Sequence, residues 1–163
     1  MKNVCSCTDG RAVYPILVKN GGNAYWTLYY YTGRSDAILH GDAKNLLYFR
    51  SKEETVRFCE SRGLTIENGA FAYDFDSPVS NPIDYKRVLD NWNLLNTAAD
   101  TLGMFFEGNE KKHTGLYNLL FRLNTPAVPI SPTYRVCDKY LKQIGKVFRK
   151  KDRFFERFVP YSG

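Results

Sequence analysis

The chain has 163 residues, a formal net charge of +6, and 44% hydrophobic and 15% aromatic residues, enough for one domain with its own core and no metal or disulfide staples. No apolar run approaches the roughly 18 residues of a membrane span, and MKNVCSCTDGR at the N-terminus holds no hydrophobic export segment, so a cytoplasmic protein with its four cysteines reduced is expected. Charge is unevenly spread: residues 67–110 carry two basic against eight acidic residues, and 133–163 carry nine basic against three acidic, so two faces can address two kinds of partner.

Residues 1–10 read as a tail. Residues 11–19 form a β-rich run in which Pro15, lacking an amide donor, points to an edge or bulged strand. Asn20-Gly21-Gly22-Asn23 is a hairpin turn signal, and 24–31 is the second arm. Trp26, Leu28 and Tyr30 then face one way, and Tyr25, Thr27, Tyr29 and Tyr31 the other. Short strands at 37–40 and 45–49 continue an antiparallel meander. Ser51 and Glu54 make a capping box for a helix that buries Val56, Phe58 and Cys59 and that Gly63 can close. Residues 64–66 and 70–75, parted by Asn68-Gly69, are strand-like, with Phe71, Tyr73 and Phe75 alternating. The sheet ends there, 76–81 is a linker, and the remainder reads as helical.

Residues 82–106 form the organising helix. Tyr85, Val88, Leu89, Trp92, Leu95, Ala99, Leu102 and Phe106 recur at spacings of three and four and fall on one face. Asn81 as N-cap, Pro82 in the first helical position and Asp84 in the third suit its start, and Gly108 suits its stop. Asn96 falls on the apolar face and needs a buried partner, while Gly103 marks a close approach of another backbone. Arg87, Asn91, Leu94, Ala98 and Phe105 form a flank too apolar to stay wet.

A shorter helix at 110–123 buries His113, Leu116, Tyr117, Leu120 and Leu123. Residues 124–132 hold three prolines and cannot be helical throughout. Ser131-Pro132 launches a last helix that buries Cys137, Tyr140, Leu141, Ile144, Val147 and Phe148, and continues past a break through Phe154, Phe155 and Phe158. The expected fold is one α+β domain, an N-terminal antiparallel sheet with one helix over 11–75 and three C-terminal helices over 82–158.

Catalytic spacing is missing from this pattern. Cys5-x-Cys7 has neither the usual zinc gap nor a second pair. His113 near Glu107 and Glu110, and His40 near Asp36 and Asp42, match no known motif, and His113 on an apolar helix face reads as a core histidine. No enzyme, cofactor or metal is therefore expected. Arg135, Lys139, Lys142, Lys146, Arg149, Arg153 and Arg157 form a basic face that could neutralise phosphates, which makes a nucleic-acid-binding module the alternative reading. The acidic block is the less ordinary feature. Asp74, Asp76, Asp84, Asp90, Asp100, Glu107 and Glu110 cluster around the central helix, able to steer a basic protein, with Asn93 beside them and Leu94 and Phe105 as apolar anchors.

Asp90-Asn91-Trp92-Asn93-Leu94-Leu95-Asn96, Thr101-Leu102-Gly103, Phe106-x-Gly108, Tyr117-Asn118-Leu119-Leu120-Phe121 and Pro126-Ala127-Val128 resemble the C-terminal half of small bacterial immunity proteins. These are the inhibitors encoded beside polymorphic toxins such as those of contact-dependent growth inhibition. The resemblance covers residues 82–130 and rests on helix-core residues, so it brings no active site with it. It implies a role: to bind one toxin domain, often a basic nuclease, and cover its active site or substrate groove; no membrane partner is expected, since no apolar run is long enough to span one. The residues expected to make that contact are Asp74, Asp76, Asp90, Asn93, Leu94, Asp100, Phe105, Glu107 and Glu110.

Overall fold

The computed structural model describes residues 6–7, 11–42, 44–67, 71–125 and 132–162. β1 (Ala12–Asn20) and β2 (Asn23–Tyr31) form the expected hairpin. Gly21 and Gly22 turn it with φ of 61° and 77°, the left-handed pair that a tight two-residue turn requires. β3 (Asp36–Ile38) adds to β2 in antiparallel fashion. β4 (Leu46–Tyr48) leaves the meander, held to it by isolated bridges at Trp26–Phe49 and His40–Leu46 and by the Thr27 hydroxyl, which donates to the Leu47 carbonyl at 2.7 Å. α1 (Lys52–Ser61) starts at Ser51, whose hydroxyl accepts from the Glu54 amide, while the Glu54 carboxylate reaches back to the Arg50 amide. Gly63, at φ 63°, follows its end.

β5 (Thr65–Ile66) and β6 (Phe71–Asp74) both run parallel to β1, one after the other along the same side. The sheet is therefore mixed where a wholly antiparallel one was expected, because α1 supplies the crossover that parallel pairing needs. β1 is central, not an edge. Its proline is tolerated because β5 pairs with Ala12–Val13 and β6 with Ile16–Lys19, leaving Pro15 at the break between the two ladders. The Asn68-Gly69 turn signal lies outside the described residues.

The sheet has two buried faces. Val13, Leu28 and Tyr30 pack with Leu39, Leu47 and Phe49 against Phe58 and Cys59 of α1. Ile16 and Val18, with Tyr25, Tyr29 and Tyr73, pack against the C-terminal helices. The alternation of β2 is as its sequence implies, and the domain is a three-layer α+β structure.

β7 (Ile83–Asp84) precedes α2 (Tyr85–Leu102), the central helix. All eight residues of the expected apolar stripe are buried, but both ends differ from expectation. Asp84 caps the helix, accepting from the Arg87 amide. Asn81 is instead clamped to Val136 by two hydrogen bonds, donating to its carbonyl at 2.8 Å and accepting from its amide at 2.9 Å. Gly103 ends the helix at φ 66°, whereas Gly108 is the tightly packed glycine, against the Phe106 ring and the Trp92 indole. The roles expected of the two glycines are exchanged. The buried amide of the helix is Asn91, not Asn96; its Nδ2 donates to the Asp74 carbonyl at 2.8 Å.

α3 (Thr114–Leu123) follows two short 3-10 turns and buries Leu116, Leu120 and Leu123. The region after residue 81 is not wholly helical. β8 (Thr133–Tyr134) pairs with β7 where the last helix was expected to start, and Ser131 lies outside the described residues. α4 (Asp138–Phe148) begins after Cys137, which is exposed, not buried. α5 (Asp152–Phe155) buries Phe154 and Phe155. β9 (Phe158–Pro160) runs back to pair in parallel with β4. Phe158 stacks on Tyr25 at 4.7 Å, and Tyr48 meets the same tyrosine edge-on at 4.9 Å, so rings from β2, β4 and β9 lock this return.

Candidate functional site

The apolar flank of α2 is covered by the sheet, and the cover is incomplete. Between α2 and the β1–β2–β6 face lies a groove of about 410 Å³ lined by Tyr14, Tyr29, Phe71, Tyr73, Leu94 and Asp90, with Asn93 at its margin. Strand alternation puts Tyr14 and Tyr29 on one face, since they are directly paired, and Phe71 and Tyr73 share it through the register of β6 with Ile16 and Val18. Phe71 is 48% exposed and Tyr14 38%, and their rings meet edge-to-face at 6.3 Å.

Electrostatically the groove is a neutral aromatic bed with one carboxylate. Burial pushes the Tyr73 phenol up to about 12, and the nearby Asp90 charge adds to the effect. Burial likewise raises Tyr29, whose hydroxyl donates to Asp36 at 2.7 Å and lies 3.3 Å from the Thr97 hydroxyl. Both phenols therefore stay protonated. Asp90 pairs with Lys86 at 2.6 Å, but both side chains are exposed, and such surface pairs contribute under about 1 kcal/mol. An incoming cation can displace the lysine.

The nine residues expected to form a docking face do not form one face. Asp90, Asn93 and Leu94 converge on the groove. Leu94, only 4% exposed, is floor and not a protruding anchor. Asp74 accepts from the Asp76 and Ser77 amides and from the Ser77 hydroxyl, which holds its carboxyl below the usual range. Asp76 accepts from Gly21 and Gly22 and so fastens the hairpin turn. Both carboxylates are engaged in holding backbone. Asp100 is exposed, and its carboxylate makes no ion pair with a described residue.

Phe105, Glu107 and Glu110 lie beyond the end of α2, near α4. Phe105 is 66% exposed. Glu107 faces His113, which is 1% exposed; Gln143 Nε2 donates to His113 Nδ1 at 2.8 Å, and His113 Nε2 donates to Glu107 at 3.2 Å. Both ring nitrogens therefore have partners, as a structural histidine requires. The His113 hydrogen bond, then Lys112 at 3.3 Å, depresses the Glu107 carboxyl to about 2. Lys112 also meets Glu110 at 3.4 Å. His40 has a separate partner, its Nδ1 donating to the Gly41 carbonyl at 3.1 Å, so Asp36 and His40 are bound to different groups. Among the described residues no group of three or more His, Cys, Asp and Glu is placed to hold a metal; Cys5 lies outside them.

The residues that sequence reasoning missed are the ring-bearing ones, Tyr14, Tyr29, Phe71 and Tyr73. Their signal was the alternation in β1, β2 and β6, which marks a shared face without saying that α2 leaves part of it open.

Among the described residues no helix is long and apolar enough to cross a membrane. No protein-family model and no curated protein matches the sequence. Among solved structures, the chain is similar to the C-terminal domain of SatS, in its crystal structure in complex with bromine. The TM-score is 0.59 at 13% identity, over 91% of this chain and 93% of that one. At that identity the likeness is one of fold, and it extends over nearly the whole domain.

Proposed function

We propose that this protein is the immunity partner of a bacterial toxin domain of the contact-dependent growth inhibition or polymorphic-toxin kind, acting in the cytoplasm by occlusion and without catalysis. The observation that carries the reading is the groove between α2 and the sheet. A bed of tyrosine and phenylalanine rings with Asp90 at its edge suits a lysine or arginine of a basic partner, through cation–π contact and a charge-assisted hydrogen bond. The resemblance over residues 82–130 supplies the partner class. The acidic block contributes less than its composition suggests, because Asp74, Asp76, Glu107 and Glu110 are already engaged within the chain.

The test is co-expression with the toxin domain encoded by the adjacent gene, followed by titration calorimetry of the purified pair. A stable complex is expected, weakened about tenfold or more by Asp90→Lys or Tyr73→Ala, as for loss of a central contact. A complex indifferent to both substitutions would remove the groove as its contact, and no complex would remove the immunity reading.

A further inference from the structure

A separate concentration of positive charge lies along α4 and α5. Lys139, Lys142, Lys146, Arg149, Lys150 and Arg153 are all exposed, and none makes an ion pair with a described residue. Lys139, Lys142 and Lys146 follow at steps of three and four along one face of α4, and Arg149 and Arg153, past the end of that helix, extend the line by sharing a concavity with Lys146.

That line runs past two concavities. One, of about 690 Å³, is lined by Lys112, Lys139, Lys142 and Lys146 together with Gln143 and Tyr140. The other, a small one, is lined by Lys146, Arg149, Lys150 and Arg153 together with Phe105 and Phe106, and by one carboxylate, that of Glu107, which Lys112 and His113 already engage. Lys146 belongs to both, so the two form one track. Its margin carries Phe105, the most exposed large hydrophobic side chain among the described residues.

We propose that this track binds single-stranded nucleic acid, its lysines and arginines along the phosphates and Phe105 stacked on a base. A line of cations matches a linear polyanion, and an unstacked base offers a flat face to an isolated ring. A protein partner fits less well, since lysine is depleted in the buried centres of protein interfaces. Most of these cations are lysines, which gain by releasing counterions from a phosphate chain. The surface is separate from the tyrosine groove, and different substitutions read the two.

The experiment is fluorescence anisotropy of the full chain with a labelled oligothymidylate of about 15 nucleotides, the length of one extended single-strand site. Binding should weaken with salt at a log–log slope of about −3, as expected for roughly four phosphates at about −0.7 each. The triple substitution Lys142→Glu, Lys146→Glu, Arg149→Glu should abolish binding. Phe105→Ala should weaken it about fivefold or more while leaving the slope unchanged, because a stacked ring releases no counterion. All four positions are exposed, and circular dichroism checks that each variant is folded. Absence of binding at low salt overturns the proposal. So does equal affinity for a duplex or for polyglutamate with Phe105→Ala silent, which would mark a generic cationic surface.

Discussion

Glu107 shows how a residue expected to meet a partner serves the chain instead. Its carboxylate accepts from the buried His113 and lies beside Lys112, and the His113 hydrogen bond is the main reason its carboxyl is held near 2 in place of 4.5. A folded-state value below the unfolded one means that the contribution is complete above about pH 4.5 and disappears as pH falls through about 2. Glu107→Gln should therefore lower the urea midpoint at neutral pH, and the gap to the parent should close as the titration approaches pH 2. A gap constant across that range would show that the carboxylate charge is not the stabilising element. By the same reasoning the buried Cys59 thiol, pushed up to about 11 by burial and then by Cys7, stays protonated, unlike a reactive thiol.

At the scale of elements, the stop of α2 and the packing beyond it rest on different glycines. Gly103→Ala places a Cβ in open space but at φ 66°, and should cost about 1 kcal/mol by urea denaturation, with Gly103→Asn costing less. Gly108→Ala meets Phe106 and Trp92 atoms at 2.6 Å. Phe106 and Trp92 are both buried and cannot swing aside, so about 1–3 kcal/mol and an altered tryptophan emission are expected. Equal, small effects at both positions would contradict the assignment.

The same helix shows what was legible in advance. Its apolar face follows from a period that depends only on neighbours three and four residues away, and that reading holds for all eight positions. Its ends depended on distant groups. Asn81 looks like a cap until Val136 takes both of its amide atoms. β8 and β9 are two and three residues long, too short to show a period, and exist because β7 and β4 offer them backbone partners. The groove was half legible: Asp90, Asn93 and Leu94 follow from the helix wheel, while the opposing rings needed the parallel register of β6, which no local pattern announces.

At the scale of the whole molecule, the N-terminal sheet and the C-terminal helices are joined through polar groups as well as rings. Lys151 donates to the buried Asn20 side chain and to the Phe75 carbonyl, and Asn20 donates to Asp152. These bonds tie the hairpin tip, the end of β6 and the start of α5 together. Lys151→Met keeps the stem but leaves the Asn20 and Phe75 oxygens without that donor, which should cost about 1–3 kcal/mol. The loss should appear as one cooperative shift in circular dichroism and tryptophan fluorescence together, and separate transitions for sheet and helices would show that the two parts are not coupled there.

The pairing of β4 with β9 has a consequence for the chain's birth. A ribosome makes Leu46–Tyr48 long before Phe158–Pro160, the segment that covers it. In the interval β4 offers a bare backbone edge to any passing strand. A nascent chain cannot close this seam early, so an interrupted translation product carries the sticky rim that the finished protein hides.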